Sequence, residues 1–279
     1  MTTDVLDELK ASNLTPLIGS AIHLDKAALL SGEHASGIRE LLERRGVLVF
    51  PKIGFSDEEQ VAFTKTLGEF AAERGDGENI HKISLDPKVN AMSAEYLKGS
   101  LYWHIDGTMS QIPILASLLS GKVLSPSGGD TQFSNTYAAW TELPEEDKQQ
   151  LEGLRAAHGA WPTLFYYDPE PSLAMTEQMM SIGEQELPLV WKHRSGRKSL
   201  VIGATAHRVI GMEARNSTAL LVRLREWATQ PRFVYTHKWT VGDLVIWDNT
   251  GTMHRATPYD PNSGRLMHRT KLRGEEAFA

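Results

Sequence analysis

A chain of 279 residues, 41% hydrophobic and 23% charged, has the balance of a soluble globular protein able to bury a large core, far from the disordered and membrane classes. Its formal net charge of −6 gives no overall basic field for a phosphate backbone, so nucleic acid is not an expected partner. The absence of cysteine excludes disulfides, thiolate metal sites, cysteine-ligated iron–sulfur clusters and a cysteine nucleophile, so any metal must be held by His, Asp or Glu.

The segment 1–10 has neither a basic n-region nor an apolar h-region, and no stretch approaches the roughly 18 apolar residues of a spanning helix. A cytoplasmic enzyme without a membrane partner is expected. Residues 16–26 suggest a short strand and turn, and Ile38, Leu41 and Leu42 give 38–45 helical apolar spacing. Gly46 to Phe50 reads as a strand stopped by Pro51. Ser56 and Glu59 then form a capping box that opens a helix carrying Val61, Phe63, Leu67 and Phe70. Gly75 to Gly99 is polar and irregular, as binding or lid loops often are.

Pro113 to Leu124 is an apolar, strand-compatible run ended by the turn residues Ser125 to Asp130, and Thr131 to Ser134 resumes as a strand. Glu142 to Leu154 reads as a helix with Pro144 in its first turn. Pro188 to Trp191 and Ser199 to Ile202 read as strands flanking the turn at Ser195 to Arg197. Met212 to Thr229 has the pattern of an amphipathic helix, with Leu220, Leu221, Leu224 and Trp227 on one face. The last third returns to strands at 232–235, 243–247 and 266–272. Many short strands separated by turns indicate a mainly β fold, a double-sheet jelly roll with flanking helices. With no linker, repeat or charge block to divide it, the chain reads as a single domain over residues 1–279.

The residues able to carry chemistry stand in two separated fragments. His104 and Asp106 sit two apart, which on a strand puts both side chains on one face. His254 lies 150 positions later, and Arg265 follows it by eleven. Two imidazoles and a carboxylate can occupy one face of Fe(II) and leave positions for a bidentate ligand and dioxygen. Taken singly, His-x-Asp is a weak motif with a hydrogen-bonded structural pair as its ordinary reading, and a lone His or Arg is usually structural or on the surface.

The fragments gain specificity together. Trp103-His104-Ile105-Asp106, Ser127-Gly128-Gly129-Asp130-Thr131, Gly242-Asp243-Leu244-Val245-Ile246-Trp247-Asp248-Asn249, His254-Arg255, and Arg265 with Arg269 resemble, in order, the motifs of the taurine/2,4-dichlorophenoxyacetate dioxygenase family. The resemblance implies a cupin-like double-stranded β-helix and an enzyme that uses Fe(II), 2-oxoglutarate and O2. It implies His104, Asp106 and His254 as catalytic iron ligands and Thr131 and Arg265 as the hold on the distal carboxylate of 2-oxoglutarate, with Arg269 a second basic residue near that cosubstrate. It further implies oxidative decarboxylation to succinate and CO2 coupled to hydroxylation of a small organic acid, and a homo-oligomer. A planar guanidinium suits such a carboxylate independently of the family. A carboxylate at Asp106, where halide-installing relatives carry a small residue, disfavours chlorination.

Residues 83–89 and 233–243 look closer to the phenoxyacetate-cleaving branch than to the taurine branch, which directs the expectation to an aryloxyalkanoate-like acid with ether cleavage. His81, Lys82, His207 and Arg208 are candidate acid anchors, each with surface exposure as the alternative, and Tyr102 and Met109 are candidate pocket walls. Trp247 reads as core packing, and Asp248 and Asn249 as ties of the turn before His254. Residues 127–129 lack the Gly-Lys-Ser/Thr ending of a phosphate loop, so no nucleotide site is expected. Two other readings use the same residues: a His2Asp zinc hydrolase, and a non-catalytic jelly-roll binding protein.

Overall fold

The β-branched and aromatic run of residues 46–50 becomes a strand buried on both faces, and that pattern organises the whole molecule. The computed structural model of the chain describes residues 5–72, 79–89 and 94–279. In chain order the strands are β1 (Ala11–Asn13), β2 (Ser20–Ile22), β3 (Val47–Phe50), β4 (His81–Ile83), β5 (Ala116–Val123), β6 (Thr131–Asn135), β7 (Arg155–Gly159) and β8 (Glu184–Pro188). They continue as β9 (Val190–Lys192), β10 (Lys198–Leu200), β11 (Ala206–Val209), β12 (Val234–His237), β13 (Leu244–Asp248), β14 (Thr252–Ala256) and β15 (Leu266–Leu272). The large sheet has the order β1-β2-β3-β13-β5-β15-β4, and β12-β6-β14 forms a smaller sheet. Strands β11-β7-β8 and the hairpin β9-β10 complete the β content. Among the described pairs only β2–β3 is parallel.

Alternation along β3 and β13 shows how the layers stack. Val47, Val49, Val245 and Trp247 point inward and pack with Phe133 of the small sheet and Met267 of β15. Leu48, Phe50, Leu244 and Ile246 point outward, under helices Ala35–Arg45 and Asp57–Leu67. Strands covered on both faces therefore lose the polar alternation of an exposed sheet. The capping box at Ser56 and Glu59 forms as the sequence indicates, with both reciprocal hydrogen bonds present. A third cluster, built around Trp191, Leu224, Phe233 and Met253, seats the helix Ala214–Ala228.

Some elements differ from the sequence reading. The helix expected from Glu142 runs only over Glu145–Leu151, because Pro144 is held in an extended conformation as its cap. Pro231 likewise opens a 3-10 turn and delays β12 to Val234. Of the irregular stretch 75–99, residues 75–78 and 90–93 lie outside the described residues. The rest contains β4, which pairs with the edge of β15, and a short helix at Ala94–Leu97. Strands β7, β11 and β14 and the helix Leu173–Met180 had no clear signal, since Arg155–Gly159 and Thr252–Ala256 lack β-branched alternation and are strands by virtue of their neighbours.

Buried titratable groups, most of them away from the inner cavity, govern the response to acid. Burial pushes the His158 imidazole from an ordinary 6.5 down to about 3, and burial with the nearby Arg197 brings His193 to about 4. Burial raises Asp248 from 3.8 to about 6, against hydrogen bonds from Thr250. Below pH 6.5 the unfolded chain protonates both histidines while the folded chain does not, so their contribution to stability is lost on acidification. Asp248 acts in the opposite sense, since the folded chain keeps its proton up to about pH 6. His254 in the cavity is held down in the same way, so three protons against one leave a net loss: the metal-free protein should lose roughly 2–3 kcal/mol of stability per pH unit between about pH 6 and 4, read as a falling urea midpoint. A midpoint that rises over that range would contradict the assignment.

Candidate metal centre and acid-binding cavity

His104 lies in an isolated bridge, outside any regular strand, and its partner in that bridge is His254. The two residues exchange both backbone hydrogen bonds, His104 N–H to His254 O at 3.0 Å and the reverse at 2.8 Å. A directly opposed pair projects its side chains to the same face, and the two imidazole centroids are 4.1 Å apart. The chain then turns at Gly107, with φ of +88° and no room for a Cβ against Ile114 N at 2.9 Å. This turn brings Asp106 beneath both rings. Its Oδ1 lies 3.7 Å from His104 Nε2 and 3.8 Å from His254 Nε2. One ligand atom from each of the three residues falls within a 4.8 Å cluster.

The charge state of this trio suits a divalent metal, which needs neutral imidazole and ionised carboxylate. The His104 Nδ1 is 2.8 Å from Tyr102 O, a carbonyl that can only accept, so Nδ1 donates there and Nε2 is the ring nitrogen turned to the cluster. Burial and the neighbouring His104 hold His254 down to about 3, against the attraction of Asp106. For Asp106, burial opposes ionisation, but the Arg269 guanidinium and the Ser117 hydroxyl, with either imidazole when it is protonated, hold the carboxyl well below its usual range. Ser117 Oγ donates to Asp106 Oδ2 at 3.0 Å, and Arg269 reaches the same oxygen at 3.4 Å. Oδ1 is thereby the oxygen that faces the imidazoles. His254 packs between Trp247 and Phe133, and its Nδ1 is buried without a hydrogen-bond partner among the described residues.

The trio opens into a cavity of about 440 Å³ walled by both sheets and the 94–114 region. Arg265, only 4% exposed, enters it from one side. Its guanidinium donates to Gly129 O at 3.0 Å and lies over the Tyr259 ring, but among the described residues it makes no salt bridge. Burial lowers its pKa, and Tyr259 and Asp130 oppose that only in part. A buried cation that makes no salt bridge is costly, and its guanidinium is chemically suited to an external acid. Thr131 stands beside it and accepts from Trp239 Nε1 at 3.0 Å, which leaves its own hydroxyl proton for a ligand.

The structure brings His104, Asp106, His254, Thr131, Arg265, Arg269 and His81 to this one cavity. His81 enters because β4 pairs it directly with Arg269, and Lys82, next along the strand, is exposed on the other face. Tyr102 turns away, with its hydroxyl on Tyr166 O and its ring in a separate hollow, while its carbonyl orients His104. Met109 is not found among the described residues that wall the cavity. His207 and Arg208 meet Glu184 at the surface instead, at 2.8 and 3.8 Å. Sequence reasoning overlooked Ser117, Tyr259, Thr163 and Thr205. Ser117 had a partial signal, as one of two hydroxyls, with Ser120, in a largely apolar strand.

Residues 10–271 match the family described as Taurine catabolism dioxygenase TauD, TfdA family. The alpha-ketoglutarate-dependent 2,4-dichlorophenoxyacetate dioxygenase of Burkholderia sp. (strain RASC) is 35% identical, over 95% of each chain. The (S)-phenoxypropionate/alpha-ketoglutarate-dioxygenase of Sphingobium herbicidovorans is 33% identical, over 83% of each. The crystal structure of AAD-2 in complex with Mn(II) and N-oxalylglycine superposes with a TM-score of 0.82 at 30% identity, covering 96% of this chain and 98% of that one.

The backbone around His104 is crowded, and that makes it testable. Gly203 has φ of +127°, and a Cβ there would come 2.8 Å from Trp103 O and 3.2 Å from His104 Cα. Gly203→Ala should therefore cost about 2–3 kcal/mol of stability and displace His104. Thermal melting checks the first effect and metal titration the second, and parent-like values in both would show that the backbone is not constrained there.

Proposed function

The chain belongs to the taurine catabolism dioxygenase TauD, TfdA family and is a 2-oxoglutarate-dependent non-haem iron dioxygenase, and on that premise we propose that it hydroxylates a small aryloxyalkanoate-like acid. The observation that carries the proposal is a three-residue donor set, His254 buried and His104 and Asp106 half-buried, sharing one cavity with a buried arginine that makes no salt bridge among the described residues. His104, Asp106 and His254 would hold iron on one side and leave the cavity side open. Arg265 and Thr131 would take the distal carboxylate of 2-oxoglutarate, with Tyr259 steadying the guanidinium face. When bound, the metal supplies the activation of dioxygen that couples loss of CO2 from 2-oxoglutarate, giving succinate, to oxidation of a substrate C–H bond.

The protein's own part is placement and exclusion of water. His81, paired with Arg269 across β4 and β15, would receive the substrate acid, Arg269 would stand near the cosubstrate, and Leu97, Ile114 and Ile83 offer apolar surface to an aryl group. Hydroxylation of the carbon between an aryl ether oxygen and a carboxylate gives a hemiacetal that releases a phenol and a 2-oxo acid. The paired sheets around this cavity support assignment to the double-stranded β-helix. The proposal extends to a single-domain, cytoplasmic, homo-oligomeric enzyme; among the described residues no helix is long and apolar enough to cross a membrane. A zinc hydrolase using the same trio would have no use for Arg265.

The test is anaerobic addition of 2-oxoglutarate to the Fe(II)-loaded protein. A weak visible charge-transfer band that shifts with an aryloxyalkanoate, with one succinate formed per substrate consumed in air, is the expected result. Iron binding without a band, or hydrolysis without oxygen uptake, would overturn the reading. Arg265→Lys should raise the apparent Kd for 2-oxoglutarate by one to two powers of ten, since a charged hydrogen bond contributes about 1.5–3 kcal/mol. His104→Ala and Asp106→Ala should abolish turnover while the melting transition stays cooperative, and wild-type activity in either would remove that residue from the ligand set.

A further inference from the structure

Trp247, Asn249 and Ser117 lie behind the metal trio and are each at most 2% exposed. Their hydrogen bonds run in one direction. The Trp247 indole can only donate, and its Nε1–H reaches Asn249 Oδ1 at 2.9 Å. That fixes which end of the amide is oxygen, so Nδ2 donates onward to Ser117 Oγ at 3.1 Å. With its oxygen occupied as acceptor, the Ser117 hydroxyl turns its proton to Asp106 Oδ2 at 3.0 Å. The ladder between β13 and β5 sets the chain up by making Trp247 and Ser117 direct cross-strand partners. The same indole packs against the His254 ring, with centroids 4.6 Å apart.

We propose that Trp247, Asn249 and Ser117 form a positioning relay that holds the Asp106 carboxylate with one oxygen turned to the metal, so that one indole braces two of the three ligands. A packing role would be met by apolar side chains of similar size, whereas a buried amide is stable only when its polar ends are matched. Here the matched ends lead to a ligand. Hydrogen-bonded partners behind metal ligands typically govern affinity by about 10–100-fold. The relay rests on the reading of His104, Asp106 and His254 as metal ligands, and Asp106→Ala tests that reading separately.

The experiment is anaerobic titration of the metal-free full chain with Mn(II), following free Mn(II) by electron paramagnetic resonance, beside a melting curve of each metal-free variant. Trp247→Phe keeps a ring against His254 and removes the N–H together with part of the fused ring system. Ser117→Ala and Asn249→Ala cut the later links. Each is expected to weaken Mn(II) about 10–100-fold; Trp247→Phe should also lower the melting midpoint because the smaller ring leaves a void, whereas Ser117→Ala, which leaves almost none, reads the relay without that loss. The Ser117→Ala/Asn249→Ala double variant should bind no worse than the weaker single, because both break one chain. Parent-like affinity in Trp247→Phe and Ser117→Ala would overturn the relay, as would fully additive losses. Parent-like Mn(II) binding by Asp106→Ala would instead remove the metal reading beneath it.

Discussion

Two backbone hydrogen bonds between His104 and His254 carry the site, because they are what turns residues 150 positions apart into adjacent ligands. A directly opposed antiparallel pair leaves its side chains no choice of face. Everything nearby serves that pair. β14 is anchored to β6 in register through Phe133, Gly107 allows the turn that returns Asp106, and Gly203 lets a neighbouring loop touch the Trp103 carbonyl. The contact from Ala204 N to Trp103 O at 2.7 Å closes the arrangement from behind.

Electrostatics in the cavity follow from burying unlike charges in one enclosed space. Asp106 is compensated within the protein by Arg269 and Ser117, and remains ionised despite burial. Arg265 has the Gly129 carbonyl and Tyr259 beside it and the more distant Asp130 charge, and it makes no salt bridge among the described residues. This asymmetry separates an acid-binding oxidative site from a bare metal cluster on the same scaffold. His81, paired with Arg269 across the β4–β15 edge, lines the same cavity.

Much of the scaffold was legible because its signals are local. The capping box at Ser56, the strand after Gly46, the helix ending near Ala228 and the strand Leu266–Leu272 follow from nearest-neighbour chemistry and appear where their residues indicate. β7, β11 and β14 were not legible, since their side chains are shaped by partners in other parts of the chain. The ligand-bearing segment behaves the same way. His104 and Asp106 share a face as their spacing suggests, but through a bridge and a glycine turn in place of a continuous strand.

The sequence by itself determined which chemistry was available: no thiol, an His-x-Asp pair, a distant His and an arginine eleven residues beyond it, set in motifs that resemble one family. Only the tertiary structure decided which basic and aromatic residues belong to that chemistry. His81 came in through a strand pairing, while His207 and Arg208 went to Glu184 and Tyr102 turned its ring to another hollow. Ser117, Asn249 and Trp247 became partners through a ladder between strands more than a hundred residues apart. The physical reason is that ligand type is a property of single residues, whereas enclosure, charge compensation and hydrogen-bond direction are properties of neighbours that only folding brings together.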